Sequence, residues 1–214
     1  DGIVTVSDLL QLLGSFGENC EVITLEWACG ELVSYQGYNY STVQIGEQCW
    51  FAENLRAQSY SNGDVINTGL GGFQWANTTS GAVTYYGDDP SASCIDYSPI
   101  VESCNPEEAL IAFGRIYNWH AVGDSRGLCP AGWHVPSDND FIEFEVFLGI
   151  DDNEVQTIGW RGTIEGNLLK TETGWHNGGN GTNLYGFNLV PGGARGTSGQ
   201  YDNAGRNGYL WSSS

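Results

Sequence analysis

The chain has 214 residues and carries 26 acidic side chains against seven basic ones, a formal net charge of −19. A field of that sign and size repels phosphate backbones and anionic lipid headgroups, which excludes nucleic acid and acidic membrane surfaces as default partners. Disorder is excluded too: 8 Trp, 11 Tyr and 8 Phe supply apolar area to offset ordering entropy, and the length suits one or two domains.

The first predicted element is a helix over DGIVTVSDLLQLLGSFG. Ser7 or Asp8 caps it, Leu9, Leu10, Leu12, Leu13 and Phe16 give it a wide apolar face, and Gly14 and Gly17 supply stops. Its opening resembles the second half of a dockerin-type or EF-hand-like calcium loop. In that resemblance Asp1 and Gly2 take positions 5 and 6, Val4 takes position 8 and Asp8 position 12, so Asp1 and Asp8 are candidate calcium ligands. Residues 20–42 alternate apolar positions at Val22, Leu25, Trp27, Leu32, Val33 and Tyr35 with breaks at Gly30 and Gly37, which reads as a linker or a short β-hairpin with a boundary near residue 38. TVQIGEQCWFAENL then gives a strand, a turn at Gly46 and a second strand with Trp50 and Phe51. GAVTYYGDDP gives another, stopped by Asp88, Asp89 and Pro90. Over EEALIAFGRIYNWHAV, Leu110, Phe113, Tyr117 and Val122 recur at near-helical spacing around Gly114. SDNDFIEFEVFLG predicts a helix capped by Ser137, with Asp138 and Asp140 at its favourable end and Phe141, Phe144, Phe147 and Leu148 facing inward. From Gly149 onward, short apolar runs between Gly- and Asn-rich turns predict strands and long loops.

Six cysteines, Cys20, Cys29, Cys49, Cys94, Cys104 and Cys129, occur without any CxxC, so structural disulfides in an exported protein are the expectation, ahead of metal knuckles or redox motifs. Cys94 and Cys104 flank a short polar loop and form the preferred local pair; Cys20 with Cys29 is a second candidate. Methionine is absent, so the chain reads as a processed or internal piece of something longer, and no apolar run is long enough to span a membrane.

VQIGEQCWFAENL, the NGD of Asn62 to Asp64, TYYGDDP, GRIYNWHAV, GLCPAGWHVPSDNDF, GFNLVPGGAR and GYLWSSS occur in the order found in the Fibrobacter succinogenes major paralogous domain, and the chain resembles that family from Val43 to Ser214. The resemblance implies an α+β, C-type lectin-like fold: two helices beside small twisted antiparallel sheets joined by long Gly-rich loops. It implies secretion or cell-surface display in Bacteroidetes and Fibrobacteres, without an assigned activity. The family pattern continues past the WSSS segment into strands with a further cysteine, which implies a partner for Cys129 beyond Ser214 and a domain incomplete at its C-terminus. The resulting expectation is a partial dockerin-like segment over 1–19, a linker or hairpin over 20–42, and the family domain over 43–214. The calcium and sugar triplets of sugar-binding C-type lectins are absent, since Trp211 is followed by serines.

Among chemistry-bearing groups, His120, His134 and His176 match no metal spacing, and GTSG at Gly196 to Gly199 lacks the spacing of a nucleophile elbow. Asp88 with Asp89, Asp138 with Asp140, and Asp151 and Asp152 with Glu154 are clusters of hard oxygen donors and candidate calcium sites. Trp75, Trp160, Trp175, Tyr185, Tyr201 and Tyr209 lie among Gly and Asn, where a ring can stack on a sugar or a partner surface, whereas Trp50, Trp119, Trp133 and Trp211 are assigned to the core. The expected function is a non-enzymatic extracellular module for binding, adhesion or assembly. Its partners would be other surface proteins, polysaccharide or further copies of itself, with calcium as the one candidate cofactor. Two alternatives are an enzyme of the formylglycine-generating type, which shares the lectin-like fold, and a filament subunit completed by strand exchange.

Overall fold

The computed structural model describes residues 28–214. The predicted dockerin-like helix, with Asp1 and Asp8, lies outside the described residues, as does Cys20. The first element is a hairpin of β1 (Val33–Tyr35) and β2 (Tyr38–Tyr40), paired Val33 to Tyr40 and Tyr35 to Tyr38. Gln36 and Gly37 both have positive φ, the two-residue turn that matches strand twist. A second hairpin comes directly after, β3 (Thr42–Ile45) with β4 (Gln48–Phe51), turning at Gly46. The expected boundary near residue 38 therefore falls in a tight turn, and three ties join the first hairpin to the family domain. Cys29 is bonded to Cys49 on β4, Tyr40 stacks on Phe51 at 4.9 Å, and the Gln36 side chain donates to the Ser59 carbonyl at 2.7 Å. The hairpin half of the expectation for this segment is what forms.

Helix α1 (Gly72–Asn77), which no sequence pattern predicted, precedes β5 (Val83–Thr84) and β6 (Cys94–Asp96). The predicted helix over 107–122 is two helices with a strand between them: α2 (Pro106–Phe113), β7 (Ile116–Tyr117) and α3 (Trp119–Val122). Gly114 ends α2 at φ 74° and ψ −150°, a conformation closed to other residues, and its Cα packs so near Asn54 that an added Cβ would stand 2.9 Å from the Asn54 Cβ. Asn118 then restarts a helical turn by accepting from the Ala121 amide.

Helix α4 (Asp138–Leu148) forms as predicted, with Ser137 and Asp140 in a reciprocal capping box and Gly149 in the left-handed conformation at its end. Phe144 and Leu148 are buried, but Phe147 is 46% exposed and leans against Tyr185 and the Gly46 turn. The last elements are α5 (Glu165–Leu169), a 3₁₀ turn (His176–Gly178), β8 (Gly192–Arg195) and β9 (Tyr201–Ala204). β5 pairs antiparallel with β7, and β9 lies between antiparallel β8 and parallel β6. The result is an α+β fold of small separate sheets and short helices.

Three apolar clusters hold it together. One joins Tyr60, Ile66, Val83, Tyr117, Val122 and Leu128; a second joins Ile45, Phe144, Leu148, Leu169 and Phe187; a third joins Tyr86, Phe113 and Tyr201. Each large side chain so buried contributes about 1.5–3 kcal/mol relative to exposure. The second disulfide, Cys94–Cys104, closes the loop after β6 as the sequence suggested. Cys29–Cys49 corrects the alternative Cys20–Cys29 pair, because Cys29 is already taken.

Candidate binding site

The rings chosen from sequence as ligand contacts divide sharply. Trp75, Trp175 and Tyr201 are buried, so they are corrected to core residues. Arg195 explains two of them: its guanidinium sits 4.9 Å from the Trp75 ring and 4.8 Å from the Tyr201 ring, bonded to the Gly199 carbonyl and the Asp89 carboxylate. Trp175 carries Lys170 over its face at 4.9 Å and donates its indole N–H to Thr171. Tyr185 is half-buried against Phe147. Of the five rings, only Trp160 is wholly in solvent, at 98% exposure. Tyr209, weighed with them, is 54% exposed.

The opposite correction applies to Trp119 and Trp211. Assigned to the core from sequence, both are 45% exposed, with ring centroids 5.9 Å apart and planes inclined at 46°. Trp211 is held by its indole N–H, which donates to the Tyr117 carbonyl on β7 at 2.8 Å. Trp119 is the first residue of α3, where Asn118 caps the turn and leaves the ring outside, over Gly123. The Asn-Trp dipeptide was the sequence signal for this, since a residue just after an N-cap has few neighbours to bury it. Trp50 and Trp133 keep their core roles, packed on Phe144 and Phe51.

Beside the indole pair lies a polar cleft of about 350 Å³ walled by Thr79, Ser80, His120, Asp124, Ser125 and Arg126. Gly123 lines the cleft and also supports the Trp119 ring, so platform and cleft are continuous. Asp124 is held below the ordinary carboxylate range by two-pronged bonding to Arg126, whose own pKa is raised by Asp124 and Asp64. Arg126 also stacks on Tyr60 at 3.9 Å, fixing this wall.

A larger cleft of about 570 Å³ runs along the GLCPAGWHVPSD segment, past Cys129, Trp133, His134 and Ser213. Burial pushes the Cys129 thiol up to about 11, and it has no disulfide partner among the described residues. His134 meets the Asp140 carboxylate at 3.1 Å, while Asp140 is kept low chiefly by the Ser137 hydroxyl and amide.

The acidic pairs proposed as metal ligands are used otherwise. Asp88 accepts from Thr84, and Asp89 accepts from the Ser91 amide and hydroxyl while pairing with Arg195. Asp138 accepts from Ser212 and Asp140 completes the α4 cap. Asp151 closes a local turn onto Asn153, Glu154 accepts from the Gly162 amide, and Asp152 is exposed. Among the described residues no three His, Cys, Asp or Glu side chains converge as a metal site would need.

Two disulfides stand among the described residues, and no helix there is long and apolar enough to cross a membrane. No curated protein and no solved structure matches the chain. The family model of the Fibrobacter succinogenes major domain spans residues 43–214, four-fifths of the sequence and every segment that shapes both clefts, and the chain belongs to that family.

Proposed function

We propose that the protein is an exported, non-enzymatic binding module whose ligand is a neutral polysaccharide outside the cell. The observation that carries this reading is the Trp119–Trp211 pair opening onto the polar cleft. A pyranose presents apolar C–H faces and an equatorial ring of hydroxyls. Half-exposed indoles suit the faces, and Thr79, Ser80, His120 and Asp124 suit the hydroxyls. Both indoles are already positioned, one by a hydrogen bond and one by a capped turn, so little ordering cost remains to oppose binding. Disulfides suit an oxidising exterior. The raised Cys129 pKa keeps that thiol protonated at neutral pH, which counts against the formylglycine-generating alternative, a chemistry that needs reactive thiols.

Affinity electrophoresis through gels holding neutral glucans, mannans or galactans tests this directly. Retardation in at least one gel is expected, with Trp119→Ala and Trp211→Ala each weakening it about tenfold. Unretarded migration in every gel would overturn the reading, as would turnover of any of these polymers lost on changing one acidic residue.

A further inference from the structure

The segment between α4 and α5 puts its apolar side chains outward. Ile158 and Trp160 are fully exposed and Ile164 is 65% exposed. A loose loop would present them at an entropic disadvantage, but this one is clamped. Arg161 grips Glu145 of α4 with two donors, Nε to Oε2 at 2.6 Å and Nη2 to Oε1 at 3.1 Å, and its Nη1 donates to the Thr157 carbonyl at 3.0 Å. The Gly162 amide donates to Glu154 at 2.7 Å, and Val155 and Ile150 are buried beneath. Gly159, at φ 112°, makes the turn that lifts Trp160. An exposed Trp on a pre-ordered backbone between two aliphatic neighbours is the composition of an interface anchor, since its two χ angles are the only freedom left to lose.

The charge around the tip selects what it meets. From Glu145 to Glu165 the chain carries Glu145, Asp151, Asp152, Glu154 and Glu165 against Arg161 alone. Glu145 is neutralised by Arg161, so four carboxylates surround the apolar tip. A second copy, itself at −19, and an anionic bilayer are both repelled by this rim. We propose that Ile158, Trp160 and Ile164 form an anchor for a protein partner bearing an apolar pocket ringed by lysine or arginine. This surface is independent of the Trp119–Trp211 site, so the module would hold polysaccharide with one and protein with the other.

Selection of phage-displayed peptides on the full chain, with Trp160→Ala as soluble competitor, tests the anchor. Basic peptides with an apolar centre are expected, and Trp160→Ala should weaken them about 30-fold. Asp151→Asn with Asp152→Asn should slow their association, and raising salt tenfold should do the same. Arg161→Gln retains the indole but frees the loop, and a weaker loss, mainly in dissociation rate, is expected. An unchanged melting temperature for Trp160→Ala would show that the loss is not unfolding. The anchor is overturned if no peptide is enriched over the competitor, or if the enriched peptides are neutral or acidic. It is likewise overturned if phosphatidylcholine vesicles or a second copy bind in a Trp160-dependent way. None of these outcomes touches the gel experiment, which reads Trp119 and Trp211.

Discussion

Arg195 shows what a cation does in this acidic chain. Its side chain is 1% exposed, seated between two aromatic rings, and Asp89 alone among the described carboxylates reaches it. Asp89→Ala would leave that guanidinium buried without a counter-charge, so a loss of about 3 kcal/mol is expected in chemical denaturation. The pH dependence is set by the sign of the Asp89 shift. Its carboxyl is held below the ordinary range first by the Ser91 hydroxyl and amide and then by Arg195, so the stabilisation is complete above the unfolded-state value near 4 and disappears as pH falls through the lower folded value. The same variant should therefore show a shallower acid arm in its stability profile. At this scale the sequence was least legible. Trp75, Trp175 and Tyr201 stand among Gly and Asn as loop rings do, yet each is a seat for a cation or a core group distant in the chain, and no local pattern marks such a partner.

Elements were legible where local chemistry decided them. Ser137, Asp140 and Gly149 mark both ends of α4, and the turn residues Gly37 and Gly46 mark both hairpins. The predicted helix over 107–122 failed because the apolar spacing of Phe113 and Tyr117 is compatible with helix and strand alike, and Gly114 settled the matter through tertiary contact with Asn54. Gly114→Ala should not restore a continuous helix. The positive φ and the crowding against Asn54 predict instead a loss of about 2 kcal/mol or more, read as a lower midpoint in urea unfolding. α1 and α5, of six and five residues, are too short to carry a periodic signal and escaped detection for that reason.

Across the molecule, long motif words such as GLCPAGWHVPSD made the family readable, because the same residues cap α4 and line the larger cleft. Which rings face outward was not readable, since it depends on how three small clusters divide the apolar side chains. The charge acts at this scale too. With a sequence pI near 4.1, mutual repulsion between copies vanishes as pH approaches that value, and the exposed Trp119, Trp160 and Trp211 are then free to associate. Light scattering should show dispersed protein at pH 7 and reversible association near pH 4. Association persisting at pH 7 and low salt would contradict this account.

All seven cationic side chains lie among the described residues, and every one is engaged. Arg56, Arg115, Arg126, Lys170, Arg195 and Arg206 each sit over an aromatic ring at 3.5–5.5 Å, and Arg161 grips Glu145. Trypsin-like proteases must draw a free Lys or Arg, on extended backbone, into a deep acidic slot. Here each such residue would first have to leave its ring or carboxylate, so the arrangement that fixes the fold also removes the handles by which the commonest extracellular proteases would take hold of it.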